Sequence, residues 1–411
     1  MPPSPFFRRA LLSVLGAFAL GSSSCRRAAP TPPAAFATLT WEQIEAQARG
    51  QTVNLAMWQG DPFINAYMRD YVAPALLARH GVTLRLLPGQ GGELVSMLMT
   101  EIEARKAASE IDLMWINGET FYQLRQLKAL YGPFTDRLPN ARYVDFASPF
   151  IGVDFQQPVD GMECPWGGAQ LLAIYHEERV PSPPRTRTAL AEWVRAHPGR
   201  FTFDSSFTGM SFLKSLLYEI AGDRAILAGP FDEAKYARYG GELWAYLKSI
   251  QPYLWREGRT FPNSVTQQHQ LFASGEIDFT FSMNDGEVDN KVAQGLFPAA
   301  ARAYVFDGGM IKNSHYMGIV ARSPHLAGAM VVCNFLISPE AQWEKQKPAV
   351  WGDGTVLDVK RLPDVWREKF SAARPGSRSP SRSELEGKGL PEPAAQYMIR
   401  LYEDFRTQLL R

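Results

Sequence analysis

Tryptophan, asparagine and carboxylate side chains recur at one kind of place in this 411-residue chain, directly after an apolar run and directly before a helical pattern. Trp58-Gln59-Gly60-Asp61 follows the run from Gln51, Asn117-Gly118-Glu119 follows Ile111–Ile116, and Asn284-Asp285-Gly286 follows Ile277–Met283. Phe207-Thr208-Gly209 opens a helical pattern, and Trp166 ends the stretch Glu163-Cys164-Pro165-Trp166. An indole face attracts a cation by ~0.5–2 kcal/mol, and a carboxylate or amide beside it can orient the polar groups of a bound molecule. Trp58 or Trp166 set against Phe207 would sandwich a ring, with Asn117, Glu119 and Asp285 reading its polar edge. That is chemistry for holding a molecule, a cationic or heteroaromatic one above all, with thiamine-like or polyamine-like compounds as examples.

Chemistry for transforming a molecule is not indicated. No G-x-S-x-G elbow or phosphate loop is present, and His176-Glu177-Glu178-Arg179-Val180 lacks the second histidine of a zinc helix. Gly89-Gln90-Gly91-Gly92 fails the dinucleotide fingerprint because Leu94 stands where its last glycine belongs. The six histidines show no i, i+4 pairing. Neither metal nor cofactor is expected. With 43 Lys and Arg against 42 Asp and Glu, no basic field invites nucleic acid.

Each candidate also has a structural reading. Large aromatics are mostly buried, so Trp58, Trp115 and Trp166 could be core. Asp61 and Glu119 could cap helices, where a carboxylate in the first turn is worth ~0.3–1 kcal/mol without any ligand. Gly60, Gly118, Gly209, Asn117, Thr208 and Asn284 could serve their loops alone.

These residues need a scaffold of strand ends and helix starts, and the periodicity supplies one. Strand character at 51–58, 82–87 and 111–116 alternates with helical patterns at 63–80, 93–107 and 120–130, implying a parallel, doubly wound α/β sheet. In such sheets ligands lie beyond the carboxyl ends of the strands, beside helix N-termini. After an irregular stretch from Tyr131 to Trp166, strands are expected at 170–175, 200–203, 277–283 and 314–321. Helices are expected at 188–196, 209–221, 231–250, 267–273 and 324–336, and 371–393 reads as an exposed loop. A chain of this length exceeds one hydrophobic core, so two lobes are expected.

The first 25 residues have the order of an export signal: Arg8-Arg9, an apolar run from Ala10 to Leu20 too short to span a bilayer, and small residues before Cys25. The string at Arg8-Arg9 is similar to a twin-arginine signal, and Cys25 stands where a lipoprotein carries its acylated cysteine. Residues 26–40, rich in Ala, Pro and Thr, read as a tether. Cys164 and Cys333 are then expected to be free, buried thiols.

Four stretches carry a family resemblance. They are Ala48-Arg49-Gly50-Gln51-Thr52-Val53 running into Trp58-Gln59-Gly60-Asp61; Ile111-Asp112-Leu113-Met114-Trp115-Ile116-Asn117-Gly118-Glu119 followed by Leu130-Tyr131-Gly132-Pro133-Phe134; Glu163–Gly167 with Gln170; and Phe207-Thr208-Gly209 leading into Ser211-Phe212-Leu213-Lys214. Together they resemble the bacterial extracellular solute-binding proteins of ABC importers, of the family 1 type and its YnjB-like branch. The resemblance implies a two-lobed, periplasmic-binding-protein-like (type II) α/β fold with a ligand cleft between lobes that close by hinge rotation. It implies one lobe of 41–168 plus 302–345 and another of 169–301 plus 346–411. It also implies an extracytoplasmic, non-catalytic, monomeric protein that hands its solute to a membrane permease and its ATPase. The rival readings are an exported α/β hydrolase and a periplasmic adaptor that binds a protein partner.

Overall fold

Val53, Leu55, Ala56 and Met57 are all fully buried, the mark of a strand covered on both faces. They form strand β1 (Thr52–Met57) at the heart of a six-stranded sheet. The computed structural model describes Phe36 and residues 38–372, 376–385 and 387–410. The expected export signal, Cys25 and most of the expected tether lie outside the described residues.

Strand β1 pairs in parallel with β2 (Thr83–Pro88) and β3 (Leu113–Ile116), each reached through helices as the spacing predicts. Between β3 and the rest of the sheet the chain makes a two-residue hairpin of β4 (Val153–Asp154) and β5 (Gln157–Pro158). It then runs through β6 (Glu163–Gln170) straight into β7 (Leu172–His176). β7 lies between β8 (Phe279–Ser282) and β9 (Ala301–Tyr304) in a second, wholly antiparallel sheet. The return strand β10 (Met310–Ile319) pairs antiparallel with both β3 and β6, and its first residues pair with β11 (Gly389–Leu390). The β6–β7 run and β10 are therefore the two strands that join the lobes.

Each lobe has its own core. One face of the first sheet buries Val53, Met57, Met317 and Ile319 under Met330, Val331 and Phe335 of helix Leu326–Leu336. The other buries Met114, Ile116 and Tyr316 under Leu94, Leu98, Phe121 and Leu124. The second lobe is centred on helix Phe207–Ala221, whose Phe212 stacks on Phe281 at 4.5 Å between ring centroids. Fully burying such a side chain contributes about 1.5–3 kcal/mol.

Three expectations change. Arg200–Phe203 is extended but joins no sheet, because its carbonyls accept from loop N–H groups, Arg200 from Asp278 and Phe201 from Trp255. The stretch expected as an exposed loop at 371–393 ends in a pairing strand, with Leu390 and Glu392 buried, because β10 offers an edge there. Trp351, Val356, Leu357, Leu362 and Phe370 pack into the first core, although 346–411 was expected in the other lobe; the stretch after Lys345 folds back over helix Pro339–Gln346 before the chain crosses. No helix among the described residues is long and apolar enough to cross a membrane.

The start of helix Phe207–Ala221 sits against its own preceding loop: a Cβ on Gly209 would collide with the carbonyl oxygen of Asp204, which is backbone and cannot swing away. Gly209→Ala is therefore expected to lower unfolding stability by roughly 1–3 kcal/mol, as overpacking does, read as a lower urea midpoint at unchanged slope.

Candidate functional site

The loops after β1, β3 and β8 and the start of helix Phe207–Ala221 bring residues of the two lobes together at three places.

The first is aromatic. Trp58, one residue past β1, and Trp115, near the end of β3, are both half-buried and lie edge to face with ring centroids 6.4 Å apart. Trp115 packs on Trp166 at 5.0 Å and on His315 at 5.1 Å, and Trp166 packs on Trp351 at 5.2 Å. Trp166 is fully buried, with its indole N–H unpartnered, so it backs the cluster and offers no free face. The loop after β8 brings Asn284 and Asp285 from the second lobe to this cluster. Asn284 is fully engaged: its Oδ1 accepts from the Gly286 N–H at 2.9 Å and its Nδ2 donates to the Trp351 carbonyl at 3.3 Å. Asp285 is half-buried, and burial, reinforced by the nearby Asp353 carboxylate, pushes its carboxyl up to about 6. Asp353 is held by Lys345 at 2.5 Å, and both side chains are sealed from solvent.

The second place is a latch. Asp61 caps helix Pro62–Ala66 through one oxygen, accepting from Phe63 N–H at 2.7 Å and Ile64 N–H at 3.2 Å. Its other oxygen forms an ion pair with Lys291 of the second lobe, which also meets Glu287 at 3.1 Å. The Gly60 carbonyl accepts a hydrogen bond of 2.9 Å from the Thr266 hydroxyl, again across the lobes. The capping role of Asp61 thus exists, and its remaining oxygen is taken up by a partner lobe.

The third place joins the two helix N-termini. Gly118 opens helix Gly118–Gln126, and Asn117 precedes it without a side-chain cap. Opposite stand Phe207, half-buried, and Thr208, buried. Phe155, at the tip of the β4–β5 hairpin, lies between them: a Cβ on Gly118 would fall inside its ring, and Phe207 lies 6.4 Å away. Lys214, fully buried, sits 4.4 Å over the Phe155 ring and 5.1 Å from that of Phe207 while pairing with Glu392. Glu119 keeps a sealed, unpartnered oxygen, as do Asp154 and Glu163. Desolvation raises all three carboxyls, and neighbouring carboxylates push further in the same direction for Asp154 and Glu163.

Sequence reasoning did not point to Trp351, Asp353, His315, Lys345, Lys214, Glu392 or Phe155. Trp351-Gly352-Asp353 has the same aromatic, glycine, carboxylate composition as Trp58–Asp61, a signal available in the sequence. Phe155 had none, because only the fold brings the hairpin between the helices. Among the described residues no group of three His, Cys, Asp or Glu side chains is arranged to hold a metal ion. Cys164 and Cys333 are free and buried, as expected.

Comparison with known proteins agrees with this architecture. A family model described as bacterial extracellular solute-binding protein matches residues 70–369. The chain is 39% identical over 348 residues to protein YnjB of Escherichia coli K12, covering 84% of this chain and 89% of the relative. Among solved structures, a putative spermidine/putrescine ABC transporter protein from Listeria monocytogenes superposes with a TM-score of 0.61 at 16% identity, covering 86% of this chain and 98% of that one. The periplasmic binding protein AfuA from Actinobacillus pleuropneumoniae, with fructose-6-phosphate bound, gives a TM-score of 0.60 at 13% identity, covering 87% and 98%. At these identities the structural likeness shows the shared two-lobed fold, and the family match and the YnjB relationship carry the assignment. The chain belongs to the bacterial extracellular solute-binding proteins, on their YnjB-like branch.

Proposed function

We propose that this protein captures a small cationic solute with a flat, heteroaromatic part in the cleft between its lobes and delivers it to the permease and ATPase of an ABC importer. The observation that carries the reading is the pair of half-buried indoles, Trp58 and Trp115, in one lobe, with Trp115 near Trp351, whose carbonyl accepts from Asn284, the residue before Asp285 of the other lobe. Indole faces and a carboxylate in a partly desolvated setting both favour positive charge, and each gains strength as water leaves. A raised carboxyl that carries a buried negative charge at neutral pH is stabilised when a cation arrives. Asn117, half-buried at the head of its helix with no capping bond from its side chain, is placed to accept or donate to the solute's polar edge.

In this reading 41–170 with 312–372 make one lobe and 171–311 with 389–410 the other, and closure brings the Lys291–Asp61 and Thr266–Gly60 contacts together. Acylation of Cys25 would tether a monomer at the membrane surface.

A thermal-shift screen of the mature protein against vitamins, polyamines, amino acids, sugars and sugar phosphates tests this directly, since ligand at one hundred times Kd adds about 2.7 kcal/mol. A response confined to sugar phosphates or other anions would overturn it. With a cationic hit in hand, Trp58→Ala is expected to weaken binding about 2- to 30-fold by calorimetry, the range one cation–π contact spans. Asp285→Asn is expected to weaken it most.

Titration of Asp285 has two further consequences. Affinity for a cation should fall as pH drops through about 6, where the carboxyl takes up its proton, and should be pH-independent in Asp285→Asn. For the empty protein the sign reverses. The folded carboxyl titrates near 6 and an unfolded one near its ordinary 3.8, so its stability contribution is full below 3.8 and is lost as pH rises through 6. Asp285→Asn should therefore be more resistant to urea than the parent at pH 7.5, with the gap closing by pH 4.

A further inference from the structure

The β4–β5 hairpin spends conformational strain to place one phenyl ring. Its two turn residues, Phe155 and Gln156, both have positive φ, 45° and 64°, as a tight hairpin turn of this length demands. Such turns are normally made of glycine, asparagine or aspartate; a bulky residue there is destabilising unless the surroundings hold it. Here they do. Gln156 is fastened to the second lobe at both ends of its amide, accepting from the Gly229 N–H at 3.0 Å and donating to the Glu392 carbonyl at 2.7 Å. Phe155 is 1% exposed and fills the gap between Gly118 and Phe207, the two helix N-termini that face each other across the cleft. Glu119 and Asp154, the chain neighbours of Gly118 and Phe155, each keep a buried oxygen with no donor, which buried polar atoms rarely do.

We infer that Phe155 is a specificity-determining plug that closes the Gly118–Glu119 half of the cleft, confining the solute to the Trp58–Asp285 half and setting the upper limit of its length. The inference rests on the cationic reading of the Trp58–Asp285 site. Removing the ring would open an extension bounded by the Lys214 ammonium, which lies 4.4 Å over the ring, so a longer apolar chain gains room there while a terminal ammonium gains nothing.

The test uses N-alkylpyridinium ions of increasing chain length, with and without a terminal amine, titrated calorimetrically into the full mature protein, Phe155→Ala and the milder Phe155→Leu. In the parent, affinity is expected to stop rising, or to fall, after a short chain. In Phe155→Ala it should keep rising roughly three- to fourfold for each added methylene, with no further gain from a terminal amine because Lys214 lies over the vacated space, and Phe155→Leu should lie between. Independently of any solute, Glu119→Cys should resist maleimide in the parent and react when combined with Phe155→Ala or Phe155→Leu. The same chain-length profile in parent and variants, or a Glu119→Cys thiol equally inert in all of them, overturns the plug. Failure of the underlying reading shows separately, as short-chain ions whose affinity ignores Trp58→Ala and Asp285→Asn. No binding of any of these ions to any of these proteins overturns both.

Discussion

Charge buried at the seam between the lobes is the constraint on which the rest of this structure depends. Lys214 and Glu392 are both sealed from solvent, Lys291 and Asp61 nearly so, and Asp285 lies close to the sealed Lys345–Asp353 pair. Taking such groups out of water costs several kcal/mol per ion unless a partner is fixed in place, and breaking a buried pair costs more than the pair contributes. Each pair therefore demands rigid elements on both sides, and the molecule provides them as helix starts and strand ends: Asp61 is pinned by its own helix cap, and Lys214 is flanked by two phenyl rings.

Most apolar packing lies within the lobes, on the two faces of the first sheet and around Phe207–Ala221. Phe155, on a strained hairpin, and Tyr122 reach from the first lobe to the second lobe's core. A seam crossed by the Lys291–Asp61 pair and by single hydrogen bonds such as Thr266 to Gly60 exchanges readily for hydration when the lobes part, whereas a broad apolar seam would resist parting. Strong, dry lobes and a polar junction are what a clamp that must release its contents requires.

How much of this could be read from the residues depends on sequence distance. The order of strands and helices in the first lobe follows from local periodicity, and with it the placement of Trp58, Asn117 and Asp285 at strand ends. Asp61 could be read as either helix cap or ligand contact; one oxygen is a cap, and the other is taken by Lys291 of the second lobe. Trp166 looked available and is buried, because the strand that carries it pairs along β10 and turns its indole toward Trp351, nearly two hundred residues away. Trp351-Gly352-Asp353 resembled Trp58–Asp61 in composition, but its place beside the cluster, like that of Glu392, is set by a return segment that folds back onto the first lobe and only afterwards crosses to pair Leu390 with Ile311. No local pattern encodes such a return. Positive φ at Phe155 and Gln156 was equally hidden, since neither residue type announces a left-handed turn.

The aromatic cluster has an optical consequence. Trp58, Trp115, Trp166 and Trp351 form a connected set whose neighbouring ring centroids are no more than 6.4 Å apart. At such spacings excitation absorbed by one indole migrates among the others faster than it is emitted. The four therefore behave as one chromophore, and anything that quenches Trp58 at the cleft drains the light of the fully buried Trp166 behind it. The clamp carries its own antenna: a solute that met Trp58 would change the emission of indoles it never touches.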